Sequence, residues 1–350
     1  MRLVDDTLRE GMQTPGLTFS SKERFEIAQM VRRAGVKSAV VSYPSAHISE
    51  MEFTKTLVNE RLFDVSYGLG RAIPNDARDI IESGADAYVY LPFDLTPKDE
   101  VFQAIQILKD SGKILRISLP RIYEIEFEKV KPLIERLSRF EPNSFVIPDT
   151  TGKSNPSKVT ETIRKIKQFT AVDIDVHFHN DYGCALLNSY EAILAGADSV
   201  DVTVFGLGER NGITDVGMMI KLLESEGFNL DVEYNEIVKA YDLLVKIVIN
   251  KIGEEYFVRN FPLWGSNCNT HTAGTHAAFG SIFKGSNFSF NVYTGKNMVK
   301  ELLTIHNLPS DADVLSYLVK KIKDISSSEG RSIPVDEILT MVREYYDKSN

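Results

Sequence analysis

The sequence predicts a parallel (β/α)₈ barrel, an α/β fold, followed by a mostly helical C-terminal extension. Three observations predict it. Short β-branched runs alternate with amphipathic stretches eight times, which is the signature of a parallel sheet covered by helices. Several helical stretches leave through a small-residue exit before the next strand, at Ala34-Gly35, Ser83-Gly84, Ser111-Gly112 and Ala195-Gly196, where glycine suits the turn after a helix. The rhythm then stops near residue 228. A doubly wound open sheet usually has fewer strands, and no G-x-G-x-x-G follows the first one.

In chain order the expected strands are 3–5, 36–42, 64–69, 87–91, 114–118, 144–148, 174–179 and 199–204. The helix after the first strand opens at Ser20-Ser21-Lys22-Glu23, the Ser-x-x-Glu spacing of a capping box. Another spans about 155–168 and starts at Asn155-Pro156, with proline in the first turn. Residues 232–252 read as one long helix and 261–275 as a loop rich in Asn, Gly and Thr. Residues 298–346 read as helical with a break near 326–332. The expected organisation is a barrel domain at 1–228 and an extension at 229–350, because a barrel takes about 250 residues and roughly 100 remain.

The chain has 350 residues, 43% of them hydrophobic, enough for a large core. A net charge of −9 argues against a nucleic-acid or membrane-surface protein, since phosphate-rich partners want a basic face. Cys184 and Cys268 form no C-x-x-C pair, so neither a zinc ribbon nor a disulfide framework is indicated. The N-terminus begins directly with a strand-like run, and no apolar stretch reaches about 18 residues. A soluble cytoplasmic protein is the expectation.

Chemistry concentrates at expected strand ends. In His177-Phe178-His179 two imidazoles lie two residues apart on a strand, so they project to the same side. At a strand's C-terminal end they are a ready pair of metal ligands; the alternative is two histidines hydrogen-bonded in a polar mouth. The first strand ends in Asp5-Asp6-Thr7-Leu8-Arg9-Glu10, whose Glu10 carboxylate can complete a two-His, one-carboxylate site. Arg9 beside it can meet an oxygen that gains charge during a reaction. On the fifth strand Arg116 and Ser118 share one face, and an arginine there can grip a carboxylate or snorkel from the rim. Thr150, in Asp149-Thr150-Thr151-Gly152, offers a hydroxyl at the end of the sixth strand or simply caps a turn. Gly206-Leu207-Gly208-Glu209-Arg210-Asn211-Gly212 can let backbone approach a ligand closely. His276, in His271-Thr272-Ala273-Gly274-Thr275-His276, can act as a general base if its loop folds over the mouth.

These segments resemble a family of metal-dependent barrel enzymes: 2-isopropylmalate, homocitrate, citramalate and Re-citrate synthases and 3-hydroxy-3-methylglutaryl-CoA lyase. Residues 5–13 match D-x-T-L-R-[DE]-G-x-Q, residues 177–183 match H-x-H-N-D-x-G, and residues 206–214 match the glycine loop. Glu10, Thr150 and Glu209-Arg210-Asn211-Gly212-Ile213-Thr214 are most similar to the homocitrate synthase branch. The resemblance implies a divalent metal (Zn, Mn or Mg) on Glu10, His177, His179 and Asn211. It implies a 2-oxo acid held by Arg9, Arg116, Ser118 and Thr150, with Gln13 and Arg71 beside it, and acetyl-CoA as co-substrate. Arg9, Glu10 and His276 would be the catalytic set. A homodimer is implied, with the extension covering the neighbour's barrel. The implied activity is an acyltransferase making a Claisen condensation, in amino-acid biosynthesis.

Four segments depart from the family pattern. The second strand carries Val40-Val41-Ser42-Tyr43 where a glutamate is usual, and Pro120 stands where the fifth-strand motif usually has one. The fourth strand ends Leu91-Pro92-Phe93-Asp94-Leu95-Thr96 without the usual Ser and His. Asn287 or Phe288 falls where a C-terminal tyrosine is usual. These changes keep two other expectations in view: a carbon–carbon lyase on the same metal site, and a non-catalytic 2-oxo-acid-binding relative.

Overall fold

The structure is a computed structural model, which describes residues 1–92, 94–260, 266–273 and 287–347. Eight parallel strands close into a barrel in sequence order. They are β1 (Arg2–Asp5), β2 (Ser38–Ser42), β3 (Val65–Arg71), β4 (Asp86–Tyr90), β5 (Leu115–Ser118), β6 (Ser144–Asp149), β7 (Asp173–Phe178) and β8 (Ser199–Val202). Closure comes from β1 against β8, with Val4 opposite Asp201 and Asp5 opposite Val202. Each expected strand is present, with ends shifted by up to two residues.

The intervening helices are α1 (Ser21–Arg33), α2 (Ile48–Asn59), α3 (Pro74–Ser83), α4 (Asp99–Asp110), α5 (Phe127–Ser138), α6 (Pro156–Phe169), α7 (Ala185–Leu194) and α8 (Val216–Ser225). The capping box at α1 forms: the Ser20 hydroxyl accepts from Glu23 N–H, and the Glu23 carboxylate accepts from Ser20 N–H at 2.7 Å. The last barrel strand, β8, is shorter than expected because the chain leaves it through a 3₁₀ turn, Val204–Gly206, with Phe205 at φ 64°.

The long helix α9 (Tyr234–Ile252) forms as expected but belongs to the barrel. Its Ile237, Ala240, Leu244 and Val248 are buried in the same hydrophobic core as the barrel helices. A short helix α10 (Tyr256–Arg259) follows, and the expected loop holds β9 (Thr270–His271), which pairs in parallel with β10 (Asn287–Phe288) further along the chain. A second core then forms around Phe290, Met298, Leu302, Leu318, Ile322 and Val342. It joins α11 (Lys296–Ile305), α12 (Ala312–Glu329) and α13 (Val335–Asp347).

This helical layer is stitched onto the barrel by polar contacts. Lys251 Nζ donates to Thr18 O, Gly330 O and the Glu23 carboxylate. Asn291 Nδ2 donates to Met12 O at 2.9 Å, and His47 Nε2 meets Asp324 Oδ1 at 2.8 Å. Among the described residues, no helix is long and apolar enough to cross a membrane.

Candidate active site

Active sites of such barrels lie at the C-terminal ends of the strands, and here a cavity of about 310 Å³ opens there. At the end of β1 the chain turns sharply. Asp6 O accepts from Arg9, Glu10 and Gly11 N–H, and a 3₁₀ turn follows at Gly11–Gln13. This turn buries Glu10 completely and points Arg9, Glu10 and Gln13 into the cavity wall. Arg9 holds the Asp6 and Glu10 carboxylates together, and its Nη1 also donates to Gln13 Oε1 at 3.1 Å. Burial works against the Arg9 charge, but Asp6 and Glu10 outweigh it and raise its pKa further.

His177 sits at the penultimate position of β7, and His179 one residue beyond the strand. Both are buried, and both line the cavity. The glycine loop folds back to meet them, with an isolated antiparallel bridge between His179 and Ile213. Ligand-capable atoms of Glu10, His177 and His179 lie within 4.8 Å of one another. The carboxylate and two imidazoles expected to converge therefore do converge.

The loop also fixes the carboxylate. Glu209 N donates to Glu10 Oε1 at 2.9 Å, and this approach requires Gly208. A Cβ there would sit 3.0 Å from both Glu10 Cγ and Oε1. Gly212 has φ +82°, and a Cβ would come within 1.8 Å of Gly206 O. Arg210 ties the loop to its neighbours through Asp181 at 2.7 Å and Thr150 O at 2.8 Å. The Glu209 side chain turns inward to accept from Thr272 N–H at 2.9 Å, with burial pushing its carboxyl up against the pull of His271 and Arg210.

A residue that sequence reasoning missed, Asp201, orients this cluster. His177 Nδ1 meets Asp201 Oδ2 at 3.2 Å, which leaves the opposite ring nitrogen for a metal. Burial pushes the Asp201 carboxyl up, but Arg116 and His177 outweigh it and hold it below its ordinary value. Asp6, His177 and Asp201 form a second metal-capable set. Its two carboxylates are already paired with the Arg9 and Arg116 guanidiniums and do not line the cavity. The signal in the sequence was a charged residue in the middle of a buried strand, Ser199-Val200-Asp201-Val202.

Arg116 is a correction. It was expected to grip a substrate carboxylate, but it is fully buried and does not line the cavity. It donates to Asp175 at 2.9 Å and Asp201 at 2.7 Å, between the rings of Tyr67 and Tyr88. The reason is depth. Two residues along a strand is roughly 6.6 Å, so Ser118 reaches the mouth while Arg116 lies one layer lower.

Gln13, Arg71, Ser118 and Thr150 all line the cavity. Arg71 is held by Asp76 through Nε at 2.9 Å and Nη2 at 2.8 Å, and Tyr43 OH donates to the same carboxylate at 2.7 Å. Asn211 lies outside the cavity lining, with Nδ2 donating to Asn260 O at 2.6 Å. Its Oδ1 is buried and has no hydrogen-bond partner among the described residues. His276 lies outside the described residues.

Of the departures, Val40 is buried in an apolar layer with Val4, Tyr67, Tyr88 and Val146. Pro120 lines the cavity, and Thr96 closes an exposed turn on Asp94 Oδ1 at 2.8 Å. The extension contributes Ala273, Tyr293, Thr294, Gly295 and Lys323 to the mouth of its own barrel. Lys323 was not foreseen, because nothing local marks a helix residue as reaching a distant barrel.

Fold and site together define a (β/α)₈-barrel protein with a carboxylate, two imidazoles and a guanidinium gathered at the C-terminal mouth. More particularly, the chain belongs to the HMGL-like family, whose pattern matches residues 1–90 and 96–244. It is 27% identical to the homocitrate synthase of Pyrococcus abyssi, over 92% of this chain and 94% of that one. It is 26% identical to a probable 2-isopropylmalate synthase of Archaeoglobus fulgidus, over 96% of this chain and 72% of that one. The solved HMG-CoA lyase of Brucella melitensis shares the fold, with a TM-score of 0.58 at 15% identity, covering 70% of this chain and 98% of that one.

Proposed function

We propose that this chain is an acyltransferase that condenses acetyl-CoA with a 2-oxo acid on a metal site built from Glu10, His177 and His179. The observation that carries the reading is the convergence of those three side chains within 4.8 Å, in the cavity that also holds Arg9, Ser118 and Thr150. Relatives that match nearly the whole chain are named homocitrate synthase and 2-isopropylmalate synthase, and this supports the same reaction class.

The residues fit a divalent ion. Two imidazoles and a carboxylate suit zinc, manganese or magnesium while leaving positions open. The unpartnered, buried Oδ1 of Asn211 is an acceptor suited to a fourth ligand. Such an ion, when bound, supplies a Lewis acid that polarises the keto carbonyl. Arg9 Nε, buried and without a partner among the described residues, is a donor for the oxygen that gains charge. Gln13 steadies Arg9, while the Ser118 and Thr150 hydroxyls and Arg71 face the oxo acid. His276, on its sequence position alone, is the base. It takes a proton from the acetyl methyl, that carbon bonds to the keto carbon, and the new alkoxide is protonated. Water then cleaves the thioester and releases the CoA thiol.

The protein works in this reading as a cytoplasmic homodimer in amino-acid biosynthesis. Tyr182, Leu187, Leu194 and Met218 leave apolar surface on and beside α7 and α8, which supports a second copy as its cover. The barrel at 1–228 carries the metal-capable residues, and 229–350 shapes the mouth and supplies His276. The direct test is thiol release from acetyl-CoA over a panel of 2-oxo acids with zinc, manganese or magnesium. No release with any pair defeats the proposal. Pro120 and Val40, in place of acidic residues, favour a carbon–carbon lyase as the second reading; pyruvate or acetoacetate release from 3-hydroxy acids or their thioesters would establish it.

A further inference from the structure

Among the described residues the cavity wall carries three Arg and Lys side chains, and one of them lacks a carboxylate. Arg9 is neutralised by Asp6 and Glu10, and Arg71 by Asp76. Lys323 forms no ion pair among the described residues. Its Nζ donates to Ala46 O at 2.7 Å, which satisfies one of an ammonium's three N–H donors. The acid whose charge acts on it is Glu50, already gripped by Arg24 at 2.7 and 3.0 Å. An ammonium in that position is costly unless something anionic meets it. Nor is it there by chance of a flexible tail. Its helix, α12, is fixed to the start of α2 by His47 and Asp324 at 2.8 Å, and Ile322 beside it is buried in the second core. The extension thus delivers one uncompensated positive charge to the side of the mouth formed by Tyr43, Ala46 and Arg71.

We propose that Lys323 is a specificity-determining residue that binds an anionic group on the substrate's side chain, so that the preferred 2-oxo acid carries a second carboxylate. This rests on the 2-oxo acid reading of the site. Arg71 flanks the same anion. Its Nε and Nη2 are spent on Asp76, which holds the guanidinium still with Nη1 remaining. Burial, with Arg71 adding to it and Glu50 opposing, lowers the Lys323 pKa to about 8, so the ammonium persists at neutral pH.

The test compares acids with a carboxylate side chain, oxaloacetate and 2-oxoglutarate, with acids without one, 2-oxobutyrate and 2-oxoisovalerate. The metal-loaded full chain is expected to prefer a dicarboxylate by kcat/KM. A hydrogen bond to a charged group corresponds to about 10- to 100-fold. Lys323→Met should raise KM for the preferred dicarboxylate by about that factor, with kcat little changed and KM for 2-oxoisovalerate unaltered. Lys323→Arg should recover most of the loss. A wild-type preference for uncharged side chains overturns the proposal, as does an equal loss on both sets in Lys323→Met. The wild-type preference needs no variant, so a misfolded Lys323→Met leaves the proposal exposed to refutation. If no acid releases thiol, the condensation reading fails by itself. Calorimetric binding of the same four acids to metal-loaded protein then decides the role of Lys323: tighter dicarboxylate binding that Lys323→Met abolishes upholds it, and equal affinities overturn it.

Discussion

The two sides of the barrel mouth are built differently. On the side of β1, β7 and β8, the charged groups pair with one another. Arg9 bridges Asp6 and Glu10, Glu209 N–H pins Glu10, and Asp201 joins His177 to Arg116. On the side of β2 and β3, Tyr43, Arg71 and the incoming Lys323 form a looser wall, partly exposed and borrowed in part from the extension. A crowded, mutually neutralised cluster holds ligand atoms in fixed geometry, which metal binding needs. An open wall with spare donors discriminates between side chains without disturbing the chemistry. The difference teaches that reaction class and substrate choice reside in separate parts of one cavity.

The strongest way to break this comparison is on the crowded side. His179→Ala should strip the metal and lower condensation by on the order of 10³-fold or more, since a metal's Lewis acidity is worth several kcal/mol. Metal content after dialysis and thiol release measure both; retained metal would remove His179 from the ligand set. Arg116→Met should destabilise the fold by about 3–5 kcal/mol, because it removes the guanidinium shared by two buried carboxylates, Asp175 and Asp201. Urea unfolding reads this. A raised KM at unchanged stability would instead return Arg116 to substrate binding. Arg9→Met should cut kcat by about 10²–10³-fold, the usual loss of a donor to a developing oxyanion, with a smaller change in KM.

The open side is sharpened by pH. The Lys323 ammonium, faced by Arg71 from β3 and Glu50 from α2, is present below about 8 and lost above it. Its pKa is depressed in the free protein, so kcat/KM for a dicarboxylate should fall as pH rises through about 8. A bound anion favours the charged form, so kcat should hold to higher pH than kcat/KM. Uncharged side chains should show no such break. The smallest effect is a control remote from both sides. Ser20→Ala removes the capping box of α1 and should cost about 1 kcal/mol of stability with catalysis unaltered.

The sequence by itself determined the barrel, because alternating hydrophobic periods force parallel strands under helices. It determined the metal-capable trio too, because strand alternation fixes which side two histidines share and strand ends fix which face of the barrel they reach. It did not determine depth. Arg116 and Ser118 share a face, yet a two-residue step puts one in the buried core of the barrel and the other in the cavity. It did not reveal that α9 belongs to the barrel's core, or that Asp201 orients His177. Least of all did it reveal Lys323, separated from Ala46 by most of the chain. Local pattern reports what neighbours in sequence do. Only the packing of the second core against the rim of the first brings a lysine from α12 to the mouth, and that is a property of the tertiary structure.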